Sequence, residues 1–356
     1  MTHVFDGHND TLTNLFIPEL AKGRTFFEQS SLGHIDLPRA RQSGFNGGFF
    51  AIFTRPPANS PEADPMYGIT FTDNGYILSE RSPLDPLYVQ RFTDDVIDFA
   101  HRLEAGSNGQ VKIIRDYDEL EYALNQNMLS MVLALEGAEA INADLSNLEY
   151  YYHKGVRSIG LVWSRPNAFG YGVPFRFPAS PDIGVGLTAA GRNLVKACNQ
   201  LGILIDLAHL NQQGFRDVAE CSTMPLVVTH ADVYSICPST RNLTDAQIDA
   251  VAQSGGVIGV NFEAMNTHPH SSIEQNVALT QITAHIDYIV NRVGIDHVAF
   301  GSDFDGADMP DDLNDVRGLP RLLDTLRSGG YDESDLEKIA YKNWLRVIKA
   351  AWKSTG

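Results

Sequence analysis

Short runs of apolar and β-branched residues recur along the chain and alternate with longer amphipathic segments. Eight such runs predict strands because most are bounded by polar or turn-forming residues: 4–7, 45–53, 131–135, 156–163, 203–207, 226–229, 257–261 and 297–301. Apolar residues at helical spacing predict helices between several of these strands: 187–201, 244–253 and 278–293.

Strands that alternate with helices are typical of an α/β protein with a parallel sheet. Eight strand-helix units in a chain of 356 residues favour a single (β/α)8 TIM-type barrel over an open doubly wound sheet. No glycine-rich G-x-G-x-x-G sequence follows any of the strands, which argues against dinucleotide binding. We therefore expect residues 1–356 to form one barrel domain.

One segment interrupts the alternation. Residues 55–86, after the second strand, contain six prolines and no helical pattern, so they predict a long loop insertion. A loop at this place rises from the C-terminal face of a barrel, where the active sites of such folds lie. We expect it to form part of an active-site wall, with a disordered insertion as the alternative.

Histidine and acidic residues stand where predicted strands end. His8 and Asp10 follow strand one, Glu136 ends strand three, and His209 and His230 follow strands five and six. The carboxyl ends of the strands meet at one face of a barrel, so we expect these five side chains to converge. Imidazoles and carboxylates without thiolates suit Zn²⁺, and less often Mn²⁺, Co²⁺ or Fe²⁺.

Five ligands are too many for one catalytic zinc ion that keeps an open position. They suit two metal ions roughly 3.5–4 Å apart that share a bridging carboxylate and a bridging hydroxide. Glu136 is the natural bridge because a carboxylate has two oxygens, whereas an imidazole presents only one nitrogen to a metal. The predicted cofactors are therefore two Zn²⁺ ions bridged by Glu136 and a hydroxide.

Charge and composition exclude several partners. Because 27 basic residues face 44 acidic ones, the formal charge is −17, which argues against nucleic-acid binding and against attachment to anionic lipid. The three cysteines form no C-x-x-C pair, and no run approaches the roughly 18 apolar residues of a membrane span. Without a signal sequence at the N-terminus, a cytoplasmic location is predicted.

Six motifs carry a family resemblance, and they occur in the family's order. The segments at 5–10 (FDGHND), 135–137 (LEG), 206–209 (DLAH), 228–230 (VTH), 237–245 (CPSTRNLTD) and 301–306 (GSDFDG) resemble the membrane (renal) dipeptidase family of zinc metallopeptidases. The chain looks like a soluble, bacterial-type member. Each motif alone is weakly specific, whereas the ordered set covers most of the chain.

The resemblance implies a barrel that hydrolyses dipeptides, often with a D-residue at the C-terminal side, and that forms a homodimer. His8 and Asp10 would hold one zinc ion, His209 and His230 the other, and Glu136 would bridge them. Beyond these ligands, the resemblance implies that Arg241 takes the terminal carboxylate of the substrate and that Asp303 is the general acid/base.

One position departs from the family pattern. After strand four the family commonly has a histidine that contacts the substrate carbonyl, and Trp163 stands there in this chain. Arg165 and Asn167 are the nearest residues that could replace this donor. Two alternatives therefore remain open: an amidohydrolase of a non-peptide amide, lactam or ester, and a metal-binding barrel that has lost catalysis.

Overall fold

The computed structural model describes residues 2–64, 66–271 and 277–352. The strands within these ranges are β1 Val4–Asn9, β2 Phe45–Phe53, β3 Ile69–Thr72, β4 Gly75–Leu78, β5 Val111–Ile113, β6 Leu129–Glu136, β7 Val156–Gly160, β8 Arg176–Phe177, β9 Leu204–Asp206, β10 Val227–Val228, β11 Val257–Val260 and β12 Val298–Phe300.

The helices of the same ranges lie mostly between the strands. They are α1 Thr11–Phe16, α2 Pro18–Ala21, α3 Leu37–Ser43, α4 Pro86–Gly106, α5 Tyr117–Asn125, α6 Leu148–His153, α7 Ala189–Leu201, α8 Gln212–Cys221, α9 Asp245–Gln253, α10 Ala264–Thr267, α11 Leu279–Val293, α12 Leu319–Ser328, α13 Glu333–Glu337 and α14 Asn343–Ala351. Shorter 3₁₀ turns occupy Pro61–Ala63, Ile295–His297 and Val316–Gly318, and a π-helical stretch, Lys338–Lys342, precedes α14. In the described part of the chain no helix is both long enough and apolar enough to cross a membrane.

Eight parallel strands form a nearly closed barrel. Their order is β1-β2-β6-β7-β9-β10-β11-β12, and β5 adds to one edge of β6. At the seam between β12 and β1, the Asp303 backbone N–H donates to the His8 carbonyl (3.0 Å) and the Asp10 N–H donates to the Phe304 carbonyl (2.8 Å). The predicted fold class is confirmed, because each of the eight predicted strands overlaps one strand of this barrel.

Local sequence accounts for the positions of the helices. Thr244 caps α9 in a reciprocal capping box with Gln247, which satisfies backbone N–H groups that the first turn leaves free. Gly202 ends α7 with a φ of 77°, a left-handed conformation that glycine adopts without a steric penalty. The three predicted helices are observed as α7, α9 and α11, each within two residues of its predicted bounds.

The barrel interior is filled from the end opposite the strand carboxyl termini. Trp344 of α14 is fully buried against Phe49, and its indole N–H donates to the carbonyl of Phe300 (2.8 Å). A Cβ on Gly7 would lie 2.4 Å from this indole and 2.3 Å from the carbonyl oxygen of Thr229. Only glycine fits at this position. The packing of the barrel interior thus holds β1 in place immediately before His8.

The insertion after β2 is not the structureless loop that its prolines predict. Strands β3 and β4 form an antiparallel hairpin, and β4 pairs with β8 from the connection that follows β7. Tyr76 and Leu78 are buried while Ile77 between them is exposed, which is the alternation of a half-buried strand. The loop prediction is wrong over residues 69–78 because the strand that stabilises the hairpin lies about 100 residues away in sequence. Pro65 lies outside the described residues.

Candidate active site

The predicted ligands lie at the C-terminal ends of the barrel strands. His8 belongs to β1 and Glu136 is the last residue of β6, whereas Asp10, His209 and His230 follow β1, β9 and β10 within three residues. All five residues are buried, and the most accessible of them, Glu136, is 8% exposed. The structure therefore brings together all five residues, although the sequence separates the first from the last by more than 200 positions.

Glu136 presents its two oxygens to different partners. Its Oε2 lies 3.5 Å from His8 Nε2, and its Oε1 lies 3.1 Å from His209 Nε2 and 3.8 Å from His230 Nε2. Asp10 extends the first side, because its Oδ2 lies 3.3 Å from His8 Nε2. The cluster thus has two halves joined by one carboxylate. Two overlapping groups in it could each hold an ion: His8, Glu136 and His230, and His8, Asp10 and Asp303.

Hydroxyl groups orient two of the imidazoles. His209 Nδ1 lies 2.8 Å from Ser164 Oγ, and His230 Nδ1 lies 2.9 Å from Thr229 Oγ1. Thr229 Oγ1 in turn donates to Asp206 Oδ2 (2.6 Å). With their Nδ1 atoms engaged, both rings turn Nε2 into the cluster, where these two nitrogens lie 3.0 Å apart. Outer hydrogen bonds of this kind are typical of histidines that bind metal.

Unusual backbone conformations place two of the side chains. His209 has a φ of 65° and Asp303 a φ of 62°, both in the left-handed region that residues with a Cβ rarely adopt. Such conformations cost free energy and persist only where neighbouring contacts hold them. The Val173 N–H donates to the His209 carbonyl (2.8 Å), and the Asp303 N–H donates to the His8 carbonyl (3.0 Å).

The electrostatics of the cluster favour a bound cation. Burial raises the pKa of Glu136 to about 7 against the opposing effect of His8, and burial also raises the pKa of Asp303. Burial lowers the pKa of His209 and His230 well below the usual value, so both rings are neutral and free to donate a lone pair. Burial also acts to lower the pKa of His8, but the neighbouring carboxylates outweigh it and leave that pKa raised. Divalent cations would compensate the crowded carboxylates, and the donor set fits them.

Asp303 and Asp305 lie two residues apart but have different surroundings. Asp303 faces the cluster, with Oδ1 3.9 Å from His8 Nε2 and Oδ2 accepting a hydrogen bond from Asn261 Nδ2 (3.0 Å). Asp305 instead accepts from Thr11 Oγ1 (2.7 Å) and lies 3.2 Å from Arg24 Nη2. Both carboxylates line the cavity above the cluster, but only Asp303 faces the proposed ligands, whereas Asp305 joins separate segments of the chain.

A cavity of about 120 Å³ opens above the cluster. Its wall includes Arg241, which is buried and donates from Nη2 to the carbonyl of His230 (3.1 Å). Trp163 forms an aromatic side of the wall, with ring centroids 4.9 Å from Phe53 and 5.7 Å from Phe175. Both predicted substrate-contacting residues thus line the same cavity as the metal cluster.

Several residues of the site escaped the sequence analysis. Arg55 and Glu263 also line the cavity, and each lies within three residues of the end of a barrel strand, the same signal that identified the ligands. Burial raises the pKa of Glu263 to about 8. The contact of Ser164 with His209 has no local signal, because 45 residues separate the two in sequence.

Neither residue suggested as a replacement for the family histidine occupies that role. Arg165 pairs with Glu139 (Nε to Oε1, 2.9 Å) and donates from Nη2 to the carbonyl of Thr54 (2.8 Å). Asn167 Nδ2 donates to the carbonyl of Leu161 (2.8 Å), and its Oδ1 accepts from the Phe169 N–H (2.8 Å). Neither Arg165 nor Asn167 lines the cavity above the cluster. The suggestion is therefore wrong, because neither side chain reaches the cavity.

The fold and the site together define a class of protein. A parallel barrel that gathers imidazoles and carboxylates at the carboxyl ends of its strands is the architecture of a metal-dependent hydrolase. Residues 1–355 match the family model described as "Membrane dipeptidase (Peptidase family M19)", and the chain belongs to this family of metallopeptidases.

Known relatives agree with this assignment. The chain is similar to a Rhodobacter sphaeroides metallopeptidase solved with a phosphinate mimic of the dipeptide L-Ala-D-Ala, with 39% identity, 99% coverage of both chains and a TM-score of 0.94. It is 44% identical to an uncharacterised Klebsiella pneumoniae protein from the pqqA 5' region, over 76% of this chain and 98% of that protein. It is 25% identical to dipeptidase tcpJ of Claviceps purpurea, over 98% of this chain and 77% of that protein. The predicted metal-dependent dipeptidase activity is confirmed.

Proposed function

We propose that the chain is a binuclear zinc dipeptidase that accepts dipeptides with a D-residue at the C-terminal side. The observation that carries the proposal is the arrangement around Glu136, whose two oxygens face two separate sets of nitrogen and oxygen donors. The relative solved with a mimic of L-Ala-D-Ala supports a D-residue in the substrate.

We divide the donor set between two sites that share Glu136, although His8 also lies close enough to Glu136 and His230 to form a group with them. His8 and Asp10 would hold one ion, His209 and His230 the other, and Glu136 would hold both. When bound, the metals would polarise the scissile carbonyl and lower the pKa of the attacking water. Zinc fits this donor set because the set combines imidazoles with carboxylates and contains no thiolate.

The chain's own residues supply the remaining functions. The buried guanidinium of Arg241 would bind the terminal carboxylate through paired N–H donors. Asp303 would carry the proton to the leaving amine, with Asn261 holding its Oδ2 so that Oδ1 faces the reacting groups. Trp163, Phe53 and Phe175 would exclude water from one side of the substrate.

The hydrolysis of a non-peptide amide, lactam or ester is the second candidate, because Trp163 stands where the family commonly has a histidine. A dipeptide differs from a neutral amide in its free carboxylate. Arg241 lines the cavity, and among the described residues its guanidinium donates a hydrogen bond only to the carbonyl of His230, although it also acts electrostatically on Asp232, Glu263 and Asp303. This arrangement favours a substrate that brings its own carboxylate.

Metal content and turnover, measured on the same preparation, test the proposal. We expect about two zinc ions per chain by elemental analysis and hydrolysis of L,D-dipeptides in a panel that also contains L,L-dipeptides and neutral amides. Two metals without turnover across the panel would instead indicate a barrel that has lost catalysis. Preferential turnover of the neutral amides would favour the second candidate.

We propose that residues 1–356 act as one catalytic barrel, with the insertion contributing to its wall. The resemblance implies a homodimer, which sedimentation of the purified protein would test. The cytoplasmic location stays a prediction.

A further inference from the structure

A second, smaller cavity lies behind the wall of the active site. It has a volume of about 50 Å³, and three arginines from separate segments line it. Arg81 comes from the insertion, Arg165 follows β7, and Arg176 belongs to β8. None of these arginines lines the cavity above the metal cluster, so the two cavities are distinct.

Acidic residues compensate part of this charge. Glu139 pairs with Arg165, while Glu62 and Asp64 act electrostatically on Arg81. Glu80 is the single carboxylate among the residues that line the cavity, and its side chain is 75% exposed and 3.9 Å from Arg176 Nη2. Three arginines thus line the cavity together with a single, exposed carboxylate.

Two of the guanidinium groups keep N–H donors without acceptors. Arg165 has a fully buried side chain, and its Nη1 has no hydrogen-bond partner among the described residues. Within the same described ranges, the buried Nε of Arg176 also lacks a partner. Buried donors are normally satisfied, so each of these two arginines could still donate to an acceptor that the described residues do not supply.

We propose that this cavity binds a small oxyanion, either an inorganic phosphate or sulfate or the carboxylate of a small molecule. Guanidinium groups match the oxygens of such anions with paired N–H donors, and the volume admits one small anion. A chloride ion has no separate oxygen atoms that could each accept hydrogen bonds from a different guanidinium group. The site is new with respect to the proposed peptidase chemistry and does not depend on it.

An anion in this cavity would contact residues that also touch the active site. The Arg165 guanidinium lies 5.0 Å from the centre of the Trp163 ring, and Ser164, which also lines the cavity, contacts His209 Nδ1. By joining Arg81, Arg165 and Arg176, the anion would also fasten the insertion to the barrel. We therefore expect it to stabilise the folded protein, because a ligand that binds only the native state raises the melting temperature.

Thermal unfolding of the metal-loaded protein tests the proposal. Sulfate, phosphate, acetate and chloride are titrated as sodium salts at constant ionic strength, so that screening is the same in every arm. We expect a saturable rise of about 2–4 °C with sulfate or phosphate if the ligand is inorganic, and with acetate if it is a carboxylate. Chloride should produce no saturable rise.

Arg176→Gln removes one of the unpartnered donors, and Arg321→Gln, at an exposed arginine of α12, is the matched control. Arg176→Gln should lose the saturable rise while Arg321→Gln keeps it. Arg176→Lys, which retains the charge without the fork, should show a weaker rise and serves if the glutamine variant fails to fold. Equal responses of the wild type and both Arg176 variants, or no saturable response to any oxyanion, would overturn the proposal.

Discussion

The floor and the wall of the active-site cavity are built in different ways. Every proposed metal ligand of the floor lies within three residues of the end of a barrel strand. The wall combines strand-end residues with residues from the insertion after β2 and the connection that follows β7, and pairing of β4 with β8 joins these two segments. The barrel strands therefore place the ligands of the floor, although Ser164 and Val173 of the connection after β7 also contact His209, whereas the wall depends more on contacts between the connections.

The two regions also differ in chemistry. The floor concentrates imidazoles and carboxylates, whose burial shifts their pKa values and favours bound cations. The wall presents aromatic rings and guanidinium groups, which suit contact with an organic substrate and its carboxylate. We expect changes in the floor to reduce turnover and changes in the wall to reduce substrate affinity.

The largest effect is expected at Asp303. Asp303→Asn removes the proton carrier but leaves the five proposed ligands in place, so kcat should fall by about 10²–10⁴-fold while the zinc content stays unchanged. Steady-state kinetics and elemental analysis on the same samples measure both quantities.

Asp305→Asn is the matched control for this change. Asp305 accepts hydrogen bonds from Thr11 and His34 and pairs with Arg24. Its loss should therefore lower the melting temperature, while kcat falls much less than it does in Asp303→Asn. If Asp303→Asn kept most of the wild-type kcat, its acid/base role would be wrong.

A loss of stability in acid is expected from His285, which joins the two segments that follow β10 and β11. Its Nδ1 accepts from the Val233 N–H (3.0 Å) and its Nε2 donates to the carbonyl of Thr267 (2.9 Å). Burial lowers the pKa of His285 from 6.5 to about 4 in the folded protein. Between these two values the unfolded chain binds a proton that the folded protein does not bind, so the stability contribution is complete above pH 6.5 and is lost as the pH falls.

The size of the effect follows from the difference between the two pKa values. The wild type should lose about 3 kcal/mol of unfolding free energy from this group as the pH falls to 4. His285→Gln should lack this component, and His153→Gln, at an exposed histidine, should retain it. Urea unfolding across this pH range measures the difference, and equal pH dependence in all three proteins would contradict the assignment.

Arg241 is expected to affect affinity for substrates that carry a carboxylate. Arg241→Gln removes a charged hydrogen-bonding partner, so KM for dipeptides should rise by an amount equivalent to about 2 kcal/mol, with little change for neutral amides. Arg55→Gln, which changes the other arginine of the cavity wall, should have a smaller effect. An equal rise in KM for both kinds of substrate would remove the argument for a carboxylate site.

The smallest effect is expected at Trp163. Its indole N–H donates to no group in the described part of the chain, and its ring packs against Phe53 and Phe175. Trp163→Phe keeps the aromatic wall, so the change in kcat/KM should correspond to less than about 1 kcal/mol of transition-state free energy. Trp163→Ala should cost more because it opens the wall to water. A large loss in the phenylalanine variant alone would show that the indole N–H replaces the family histidine as a donor.

The sequence was most informative where a local pattern decides the structure. The eight apolar runs correspond to the eight barrel strands because a strand buried on both faces reads as a continuous apolar segment. His8, Glu136 and His209 could be grouped from their places at strand ends because a parallel barrel brings the carboxyl ends of its strands together. The residue types then suggested the metal.

The tertiary structure decided the features that depend on contacts between distant segments. The hairpin in the insertion forms its outer pairing with β8, so its prolines alone were misleading. The contact between Ser164 and His209 and the cavity of Arg81, Arg165 and Arg176 also join residues with no shared periodicity. Strand formation and strand-end chemistry follow from nearest neighbours in sequence, whereas the pairing of loops depends on how the completed barrel brings them together.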